Sequence, residues 1–436
     1  MPQYLKSTLS ENKSETTARV NHYEFRNRPF SVSDVFLTQI GDSKLLTKGE
    51  DVKRVYDLKL STKRFRTFLS TFLPGDTIGI LPRNDPVEVD KLLVRLNVEA
   101  EAEKWYNLSI SEDTTKKNAT IPKHIPISGV FRDIFTYYVD IRKPPKKLFL
   151  KALIPYTRDP QEAEKLQEVC SPKGSKQYSD LITGSAQTLS GLLNKFPSCS
   201  PPVEVILEHS SPLQPRYFSI ASSPLENDAL HITFFVVENE DGTKGVCTGW
   251  LEELVNLNES QRAKIPIYFR KPNNFRIPSD SSLPLVMVAT GTGLAPFKGF
   301  LDHRLLLRKN GKRDTGDAVL FYGCRYRDRD FLYAERMEEY LDNGALTKLY
   351  TAFSRDGEEK CYVQNRIDRN GEEFVNYVLN KNAVIYVCGN MKTVVKDVKE
   401  AVVNNLVEYG DLDLEVAREY LNELVKNDRF VIDSWS

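Results

Sequence analysis

The sequence predicts a multidomain protein of mixed α+β and α/β class, with an antiparallel β-barrel that carries a helical insertion and is followed by a parallel sheet. Short strand-like segments separated by turn residues occur over residues 28–86 and again over residues 203–278. The intervening residues 87–202 carry apolar side chains at helical spacing. Over residues 279–436, strand-like and helical segments alternate, which indicates βαβ units and a parallel sheet.

Length and charge exclude some classes of function. The chain of 436 residues is long enough for about two to four domains of roughly 150 residues each. It has 60 basic and 60 acidic residues, so no net charge favours nucleic acid or an anionic membrane as a partner. The N-terminal segment lacks the apolar region of a secretory signal, and no run approaches the roughly 20 apolar residues of a transmembrane helix. We therefore expect neither a nucleic-acid nor a membrane role.

The cysteines and histidines give no indication of a metal centre. The six cysteines are scattered and form no CxxC pair, which is typical of free thiols in the reducing cytoplasm. The five histidines are dispersed and have no paired ligands nearby, so no metal site is expected.

The order of segments predicts how the barrel is built. Residues 1–27 are polar and predict a flexible tail. Runs such as RVYDLKLS and DTIGILP form the first part of the barrel over residues 28–86, and the helical insertion follows over 87–202. Strand character resumes at residue 203 with VEVILE, RYFSIAS and HITFFVVE. Residues 28–86 and 203–278 are therefore predicted to form one folded unit.

The first candidate site is the strand-like segment Arg216-Tyr217-Phe218-Ser219. Because alternate side chains of a strand face opposite ways, Arg216 and Phe218 share one face, and Tyr217 and Ser219 share the other. The arginine offers donors for phosphate oxygens, and the tyrosine offers a flat ring with a polar tip. Together they suit a flat phosphorylated cofactor such as a flavin nucleotide. An ordinary amphipathic strand with a surface arginine is the alternative.

Two further segments place glycines ahead of a helix. In Gly245-Val246-Cys247-Thr248, Thr248 is expected to cap the helix that follows, whose free amides also suit an anion; a plain N-cap is the alternative. The segment 289–297, ATGTGLAPF, follows a buried strand, and its glycines allow a close approach of a pyrophosphate. Pro296 replaces the last glycine of a GxGxxG fingerprint, and a bare tight turn is the alternative.

The remaining candidates follow strands of the predicted parallel sheet. Ser354 and Arg355, with Lys360 and Tyr362 close behind, suit a ribose 2′-phosphate and hence NADPH; a solvated basic loop is the alternative. Cys388 ends another strand, where a thiol would touch a nicotinamide unless it is a buried structural cysteine. An aromatic residue so near the chain end rarely belongs to a core unless docked, so the Trp435 indole is a candidate to cover a flavin.

Taken together, these motifs resemble the ferredoxin-NADP reductase-like module of the diflavin reductases over about residues 28–436. RYFSIAS resembles the RxYS flavin motif of that family, and GVCT resembles its flavin-pyrophosphate motif. GTGLAPF, the SR pair with KxY, CGN and the terminal DxWS resemble its NADPH and nicotinamide motifs. The resemblance implies an FAD-binding barrel, a Rossmann-like NADPH domain over residues 279–436, and the cofactors FAD and NADPH.

The resemblance also implies roles for single residues. Ser219 would lie near flavin N5, Tyr217 would stack on the isoalloxazine, and Trp435 would shield its other face. The residues implied in FAD binding are Arg216, Tyr217, Phe218, Ser219, Gly245, Val246, Cys247, Thr248 and Trp435. Those implied in NADPH binding are Thr292, Ser354, Arg355, Lys360, Tyr362, Gln364 and Asp397. The residues implied in hydride transfer are Ser219, Cys388, Asp433 and Trp435.

The sequence departs from the family at three points. Asn390 replaces the aspartate of Cys-Gly-Asp, which puts that contact in doubt. Asn239 stands where an aromatic residue often stacks on adenine, so a lower FAD affinity is expected. The segment before Arg28 is too short for a flavodoxin-like domain, so FMN is not expected on this chain.

The segments 142–147, 196–202, and 207–209 with 213–216 resemble the connecting region of one branch of the family, and Cys247 within residues 244–251 resembles that branch too. That resemblance implies electron transfer to the cob(II)alamin of methionine synthase, directly or through a separate flavodoxin-like protein. A general NADPH reductase for another flavodoxin or haem acceptor is one alternative. A non-catalytic stabilising partner of methionine synthase is the other.

Overall fold

A computed structural model describes residues 3–11, 23–63, 72–185, 187–226, 229–312 and 315–435, without the side chains of Ala229 and Trp435. The chain divides into two compact units. Unit 1 comprises Met1–Pro29 and Leu81–Arg216, and unit 2 comprises Phe30–Ile80 and Tyr217–Ser436. The domain boundaries inferred from the sequence remain predictions.

The strands are, in chain order, β1 Leu5–Ser10, β2 Phe36–Thr38, β3 Ile40–Leu45, β4 Val55–Ser61, β5 Thr77–Ile80, β6 Trp105–Ile110, β7 Ser128–Val130, β8 Arg216–Ser219, β9 Ala229–Phe235, β10 Ile265–Phe269, β11 Leu285–Thr290, β12 Ala318–Cys324, β13 Lys348–Phe353, β14 Val384–Asn390 and β15 Phe430–Trp435. Within the described residues, the α-helices of five or more residues are α1 Pro86–Arg95, α2 Lys147–Leu153, α3 Pro160–Cys170, α4 Leu189–Lys195, α5 Val203–His209, α6 Val246–Asn256, α7 Ala295–Lys309, α8 Ala334–Asp342, α9 Val363–Arg369, α10 Gly371–Val375, α11 Lys396–Gly410 and α12 Leu414–Lys426.

Unit 1 combines helices α1–α5 with a small antiparallel sheet in the order β1-β6-β7. The strand Leu5–Ser10 lies in the segment that we expected to be a flexible tail, so that expectation does not hold for these residues. Leu5 pairs with Ile110, and its side chain is buried in the core of the unit. Pairing and burial fix this short polar segment, and neither is visible in its composition. Residues 12–22 of the predicted tail lie outside the described residues.

The segment VEVILE, which we expected to be a strand, forms helix α5, Val203–His209. Short apolar runs fit either a strand or a buried helix, so periodicity alone misled us. The helix places Glu204 and Glu208 one turn apart. Glu208 Oε1 accepts hydrogen bonds from the Tyr4 and Leu5 amides at 2.6 and 2.7 Å, while Glu204 accepts from Ser7. The two glutamates thereby bind β1 to the helix.

Unit 2 contains the antiparallel sheets β2-β10-β5-β8 and β3-β4-β9, followed by a parallel sheet of five strands in the order β13-β12-β11-β14-β15. This arrangement confirms the predicted fold class. Apolar side chains of both antiparallel sheets, such as Leu58, Ile78 and Ile232, enclose one core. In the parallel sheet β11, β12 and β14 are almost wholly buried, as expected of strands covered by helices on both faces.

The last strand positions the C-terminal residues. β15 runs parallel to β14, with Asp433 beside Cys388 and Trp435 beside Asn390. The DxWS segment is therefore fixed by backbone pairing up to residue 435. Within the described part of the chain, no helix combines the length and the apolar character needed to cross a bilayer.

Candidate functional site

Ser219 and Asp433 meet although they lie far apart in the sequence. The Ser219 hydroxyl donates a hydrogen bond of 2.8 Å to Oδ2 of Asp433. Burial raises the pKa of Asp433 above its ordinary value, while the Ser219 hydrogen bond and the charge of Arg270 act in the opposite direction. This contact joins the end of β8 to the end of β15.

Cys388, the third residue implied in hydride transfer, pairs with Asp433 through the backbone of β14 and β15. Its side chain is buried in the core of the parallel sheet. Burial, and then the nearby Asp433 carboxylate, raise the pKa of the thiol well above its ordinary value, so the thiol is uncharged at neutral pH. The structure thus brings Cys388 next to the Ser219–Asp433 pair as a buried neutral group. Its catalytic role remains a prediction.

The two aromatic residues of β8 have different surroundings. Tyr217 is 41% exposed, and the guanidinium of Arg270 lies 4.0 Å from its ring centroid. Phe218 packs edge to face against Phe234 of β9, with ring centroids 6.3 Å apart. One face of the Tyr217 ring is therefore already covered by a cation. Arg270 was missed because nothing near it in the sequence marks it as part of the site.

Arg216 begins the same strand. Its Nη1 atom donates 2.8 Å to the carbonyl of Gln214, and its side chain is half-buried. This bond leaves other guanidinium donors for a phosphate oxygen.

Helix α6 begins directly after Gly245 and has no side-chain cap. The expectation that Thr248 caps it is wrong, because Thr248 lies inside the first turn and its Oγ1 accepts a 3.1 Å bond from the Val237 amide. A Cβ atom on Gly245 would lie 2.9 Å from both Thr248 Oγ1 and Val237 Cβ, so this position needs glycine. Cys247 points into the barrel core. The uncapped amides at the start of α6 suit an anion.

Two cations hold this helix through one buried carboxylate, a contact that the sequence did not predict. Arg54 Nε and Lys244 Nζ each lie 2.7 Å from the Glu252 carboxylate. Burial alone would raise the pKa of Glu252, but the bonds from Arg54 and Lys244 outweigh it and lower that pKa. Because Lys244 directly precedes Gly245, the ion pair fixes the turn that opens α6.

A cavity of about 760 Å³ lies at the carboxyl ends of the parallel strands. Of the residues implied in NADPH binding, those that line it are Thr292, Ser354, Tyr362, Gln364 and Asp397. Gln364 Nε2 donates 3.2 Å to Oδ2 of Asp397. Arg355 and Lys360 are exposed and are not among the described lining residues. Five of the seven residues implied in NADPH binding therefore line the cavity. The two cations are close in sequence to lining residues but do not line the cavity themselves.

The predicted turn after β11 has the expected form. A 3₁₀ turn, Gly291–Leu294, leads from the strand into α7, and Pro296 lies in the first turn of that helix. Gly291 has φ +52°, and nothing lies within 4 Å of a Cβ atom built on it. An L-residue is strained at this φ, and the open space leaves the backbone accessible to a ligand. The turn lines the cavity.

A family model described as an FAD binding domain matches residues 28–250, and a second, described as an oxidoreductase NAD-binding domain, matches residues 287–400. The chain belongs to the FAD-binding domain family. It thus carries an FAD-binding domain followed by an NAD-binding domain, which confirms the two expected cofactor classes.

Among its relatives, methionine synthase reductase of Homo sapiens is 38% identical and that of Rattus norvegicus is 36% identical, each over 100% of this chain and 65% of the relative. NADPH–cytochrome P450 reductase of Rattus norvegicus is 32% identical over 96% of this chain and 61% of the relative. The resemblance drawn from the motifs is confirmed. The chain spans just under two thirds of the length of these relatives.

Two departures from the family pattern have local structural roles. Asn390 caps the helical turn after β14 by accepting a 2.9 Å bond from the Lys392 amide, and it also lines the cavity. Asn239 donates 2.8 Å to Thr243 Oγ1 within an exposed hairpin. Both asparagines stabilise turns. Trp435 is placed by its backbone alone, because its side chain lies outside the described residues.

Lys53, which was not predicted from the sequence, adds a cation to the cavity. Its Nζ lies 4.1 Å from the centroid of the Phe235 ring, and both residues line the cavity. Burial, followed by the charge of Arg325, lowers the pKa of Lys53. Arg325 lines the same cavity. Two positive charges close together favour an anionic ligand there.

Proposed function

We propose that this FAD-binding family member is an NADPH-dependent flavoprotein reductase that passes electrons to an acceptor through its FAD. The hydrogen bond between Ser219 and Asp433 carries the proposal, because it joins the strand implied in flavin binding to the end of the nucleotide-binding sheet. The matches to an FAD-binding and an NAD-binding domain support both halves.

The residues present fit an FAD. The uncapped amides that follow Gly245 would hold its pyrophosphate, and Arg216 has donors left for a phosphate oxygen. Tyr217 and Phe218 offer aromatic rings on opposite faces of β8, and either can pack against a flat ring system. Trp435 would supply the other wall by its position in the DxWS motif.

The residues present also fit NADPH. The turn at Gly291 leaves backbone open toward a pyrophosphate, and Lys53 and Arg325 bring positive charge to the same cavity. Ser354 and Tyr362 line the cavity, while Arg355 and Lys360 lie directly beside them in the chain. Hydroxyls and cations in this arrangement suit a ribose 2′-phosphate.

When bound, the two cofactors supply the redox chemistry, a hydride passing from nicotinamide C4 to flavin N5. Asp433 would present its carboxylate to the positive charge that develops on the nicotinamide, and Ser219 would orient that carboxylate while lying near N5. Cys388 would pack beside them as a neutral thiol. The chain would act mainly by orienting the two ring systems.

We propose cob(II)alamin of methionine synthase as the physiological acceptor, reached directly or through a separate flavodoxin-like protein. Methionine synthase reductases at 35–38% identity over the whole chain support this choice. A general reductase for another flavodoxin or a haem protein is the second candidate, which NADPH–cytochrome P450 reductases at 32% identity support. None of the six cysteines, each in the described part of the chain, forms a disulfide, and we propose a cytoplasmic location on that basis.

The experiment has two stages. First, purified protein is loaded with FAD, and NADPH oxidation is followed with ferricyanide as acceptor. Turnover supports the reductase, whereas absence of bound flavin and of turnover rejects it. Second, loaded protein, NADPH and the methyl donor S-adenosylmethionine are mixed with inactive methionine synthase and its substrates, with and without a flavodoxin, and methionine formation is measured.

Reactivation in either mixture supports the proposed acceptor. Reactivation in neither, with ferricyanide turnover intact, favours another flavodoxin or a haem acceptor. Stabilisation of methionine synthase by protein that does not oxidise NADPH would instead support the non-catalytic role.

A further inference from the structure

We propose that Arg270 is a positioning residue of the Ser219–Asp433 pair: its guanidinium holds the Tyr217 ring and supplies the positive charge that faces the Asp433 carboxylate. The inference rests on the proposed function, since it assigns a further residue to the same hydride-transfer site.

The backbone places Arg270 on the Tyr217 side of β8. Arg270 directly follows β10, and its amide donates 3.1 Å to the carbonyl of Thr77 at the start of β5. Its guanidinium lies 4.0 Å from the ring centroid of Tyr217 and 5.6 Å from that of Phe30. A guanidinium that stacks on an aromatic face at this distance restrains the ring.

Tyr217 shares one face of β8 with the residue that bonds to the Asp433 carboxylate. Tyr217 and Ser219 are two residues apart in a strand, so their side chains point to the same side. Ser219 bonds to Asp433 on that side. Arg270, Tyr217, Ser219 and Asp433 therefore form one cluster built from two strands, β8 and β15, and the residue after β10.

The charge of Arg270 is not neutralised by a direct ion pair. Within the described residues, its side chain has no salt-bridge partner, and its buried Nε has no hydrogen-bond partner. A half-buried guanidinium without a partner carries an electrostatic field that is only partly screened.

Three groups interact with the Asp433 carboxylate, by a hydrogen bond or through its charge. β8 contributes the Ser219 hydroxyl, β14 contributes the buried Cys388 thiol, and the residue after β10 contributes the Arg270 guanidinium. The thiol is neutral, since burial raises its pKa well above the ordinary value. Among these three groups, Arg270 is the cation that favours the ionised form of Asp433 against its burial.

Loss of that charge has a defined consequence. Without Arg270, Asp433 holds its proton more tightly, so a smaller fraction is ionised at any given pH. The carboxylate that would stabilise the nicotinamide cation is then available only at higher pH.

The first test uses Arg270→Gln, Arg270→Lys and the matched control Lys271→Gln, which removes one charge from the exposed neighbouring residue. Reduction of bound FAD by NADPH is measured by stopped flow from acidic to alkaline pH. For Arg270→Gln, we expect the acid limb of the plot of reduction rate against pH to move to higher pH by about one unit. The variant is then about tenfold slower than wild type at acidic pH and equally fast at alkaline pH. Arg270→Lys keeps the wild-type acid limb, and so does Lys271→Gln.

The second test requires no turnover. Thermal unfolding of the full chain is followed after flavin removal for wild type, Arg270→Gln, Asp433→Asn and the double variant. We expect the Tm loss caused by Arg270→Gln to grow as the pH rises and to become independent of pH in the Asp433→Asn background.

An unchanged acid limb in Arg270→Gln, or a Tm loss that is equal at all pH values and persists in the Asp433→Asn background, would overturn the inference. Failure of the proposed function looks different. Wild type that binds no FAD, or is not reduced by NADPH, rejects the reductase, while the unfolding cycle still reports on the Arg270–Asp433 interaction.

Discussion

The Ser219 hydroxyl donates a 2.8 Å hydrogen bond to the Asp433 carboxylate across 214 residues of sequence. Ser219 belongs to a short strand of the antiparallel part, and Asp433 belongs to the last strand of the parallel sheet. Two side chains implied separately by motif are thus in direct contact. The contact defines where we expect nicotinamide and flavin to meet.

The first prediction concerns Asp433→Asn. We expect flavin reduction by NADPH to slow by about 100-fold, the usual scale for loss of a preorganised electrostatic group, while FAD content is unchanged. Stopped-flow reduction and flavin quantification measure the two effects. The exposed Asp428→Asn, two residues before β15, serves as control for the loss of a nearby charge. An unaltered reduction rate in Asp433→Asn would contradict the assigned role.

The same variant tests a pH dependence of stability. Burial raises the pKa of Asp433 in the folded chain, so folded protein binds this proton more tightly than unfolded protein does. Stability therefore falls as the pH rises from the unfolded pKa of about 3.9 through the higher folded value. We expect Asp433→Asn to gain stability relative to wild type over that window, as measured by Tm against pH. A stability gain that does not depend on pH would contradict this account.

The second prediction separates the aromatic residues around the flavin. Tyr217→Ala should loosen FAD, because it removes a ring that Arg270 holds at the site. Phe218→Ala tests the ring on the opposite face of β8. Of these two variants, the one that binds FAD more tightly has lost the ring that contributes less to FAD binding. Trp435→Ala should retain FAD and lose discrimination against NADH. Flavin fluorescence titrations give the affinities, and NADPH/NADH rate ratios give the discrimination.

The third prediction concerns the choice of NADPH over NADH. Arg355→Ala should raise KM for NADPH about tenfold or more with little effect on NADH, because a charged hydrogen bond to the 2′-phosphate contributes about 1.5–3 kcal/mol. Glu358→Gln, a change of one charge in the same exposed loop, is the control and should not weaken NADPH binding. Equal losses with both nucleotides would show that Arg355 does not recognise the 2′-phosphate.

Local features of the fold were predictable from the sequence because they depend on neighbouring residues. The turn at Gly291, the strand at Arg216–Ser219 and the alternation of strands and helices after residue 279 leave direct signals in composition and spacing. The helix at Val203–His209 was missed because a short apolar run fits either periodicity.

The parts of the site that the sequence did not predict are contacts between residues far apart in the chain. Arg270 reaches Tyr217, and Arg54 reaches Glu252 across 198 residues, so no local pattern marks either cation. Thr248 does not cap the helix, because the helix begins at Val246 and Thr248 lies inside its first turn, where its hydroxyl accepts a bond from the Val237 amide. Burial of the Cys388 thiol depends on the packing of the whole sheet.

The fourth prediction concerns a buried polar network beside the barrel. Oδ1 of Asp57 accepts a hydrogen bond of 2.8 Å from Tyr333 Oη, and Oδ2 of Asp57 lies 2.8 Å from His231 Nδ1. Burial alone would raise the pKa of Asp57, but His231, Lys298 and Tyr333 outweigh it, so the folded pKa is lowered. Asp57→Asn should therefore cost about 1–3 kcal/mol of unfolding free energy at neutral pH, the scale for disrupting a buried polar group.

The sign of the pH effect follows from the lowered pKa. Stability contributed by ionised Asp57 is fully present above the unfolded pKa of about 3.9 and is lost as the pH falls toward the folded value. Denaturant unfolding at several pH values should show the Asp57→Asn deficit shrinking below that pH. Asp42→Asn, an exposed carboxylate on the adjacent strand, should show no comparable deficit.

The proposed reductase activity requires that this chain binds FAD and reduces it with NADPH. The most direct measurement is anaerobic titration of FAD-loaded protein with NADPH, followed by the loss of the oxidised flavin spectrum, with NADH in parallel. We expect stoichiometric FAD, rapid bleaching by NADPH and much slower bleaching by NADH. Protein that retains no FAD when it is supplied in excess, or bound FAD that NADPH does not bleach, would contradict the proposed activity.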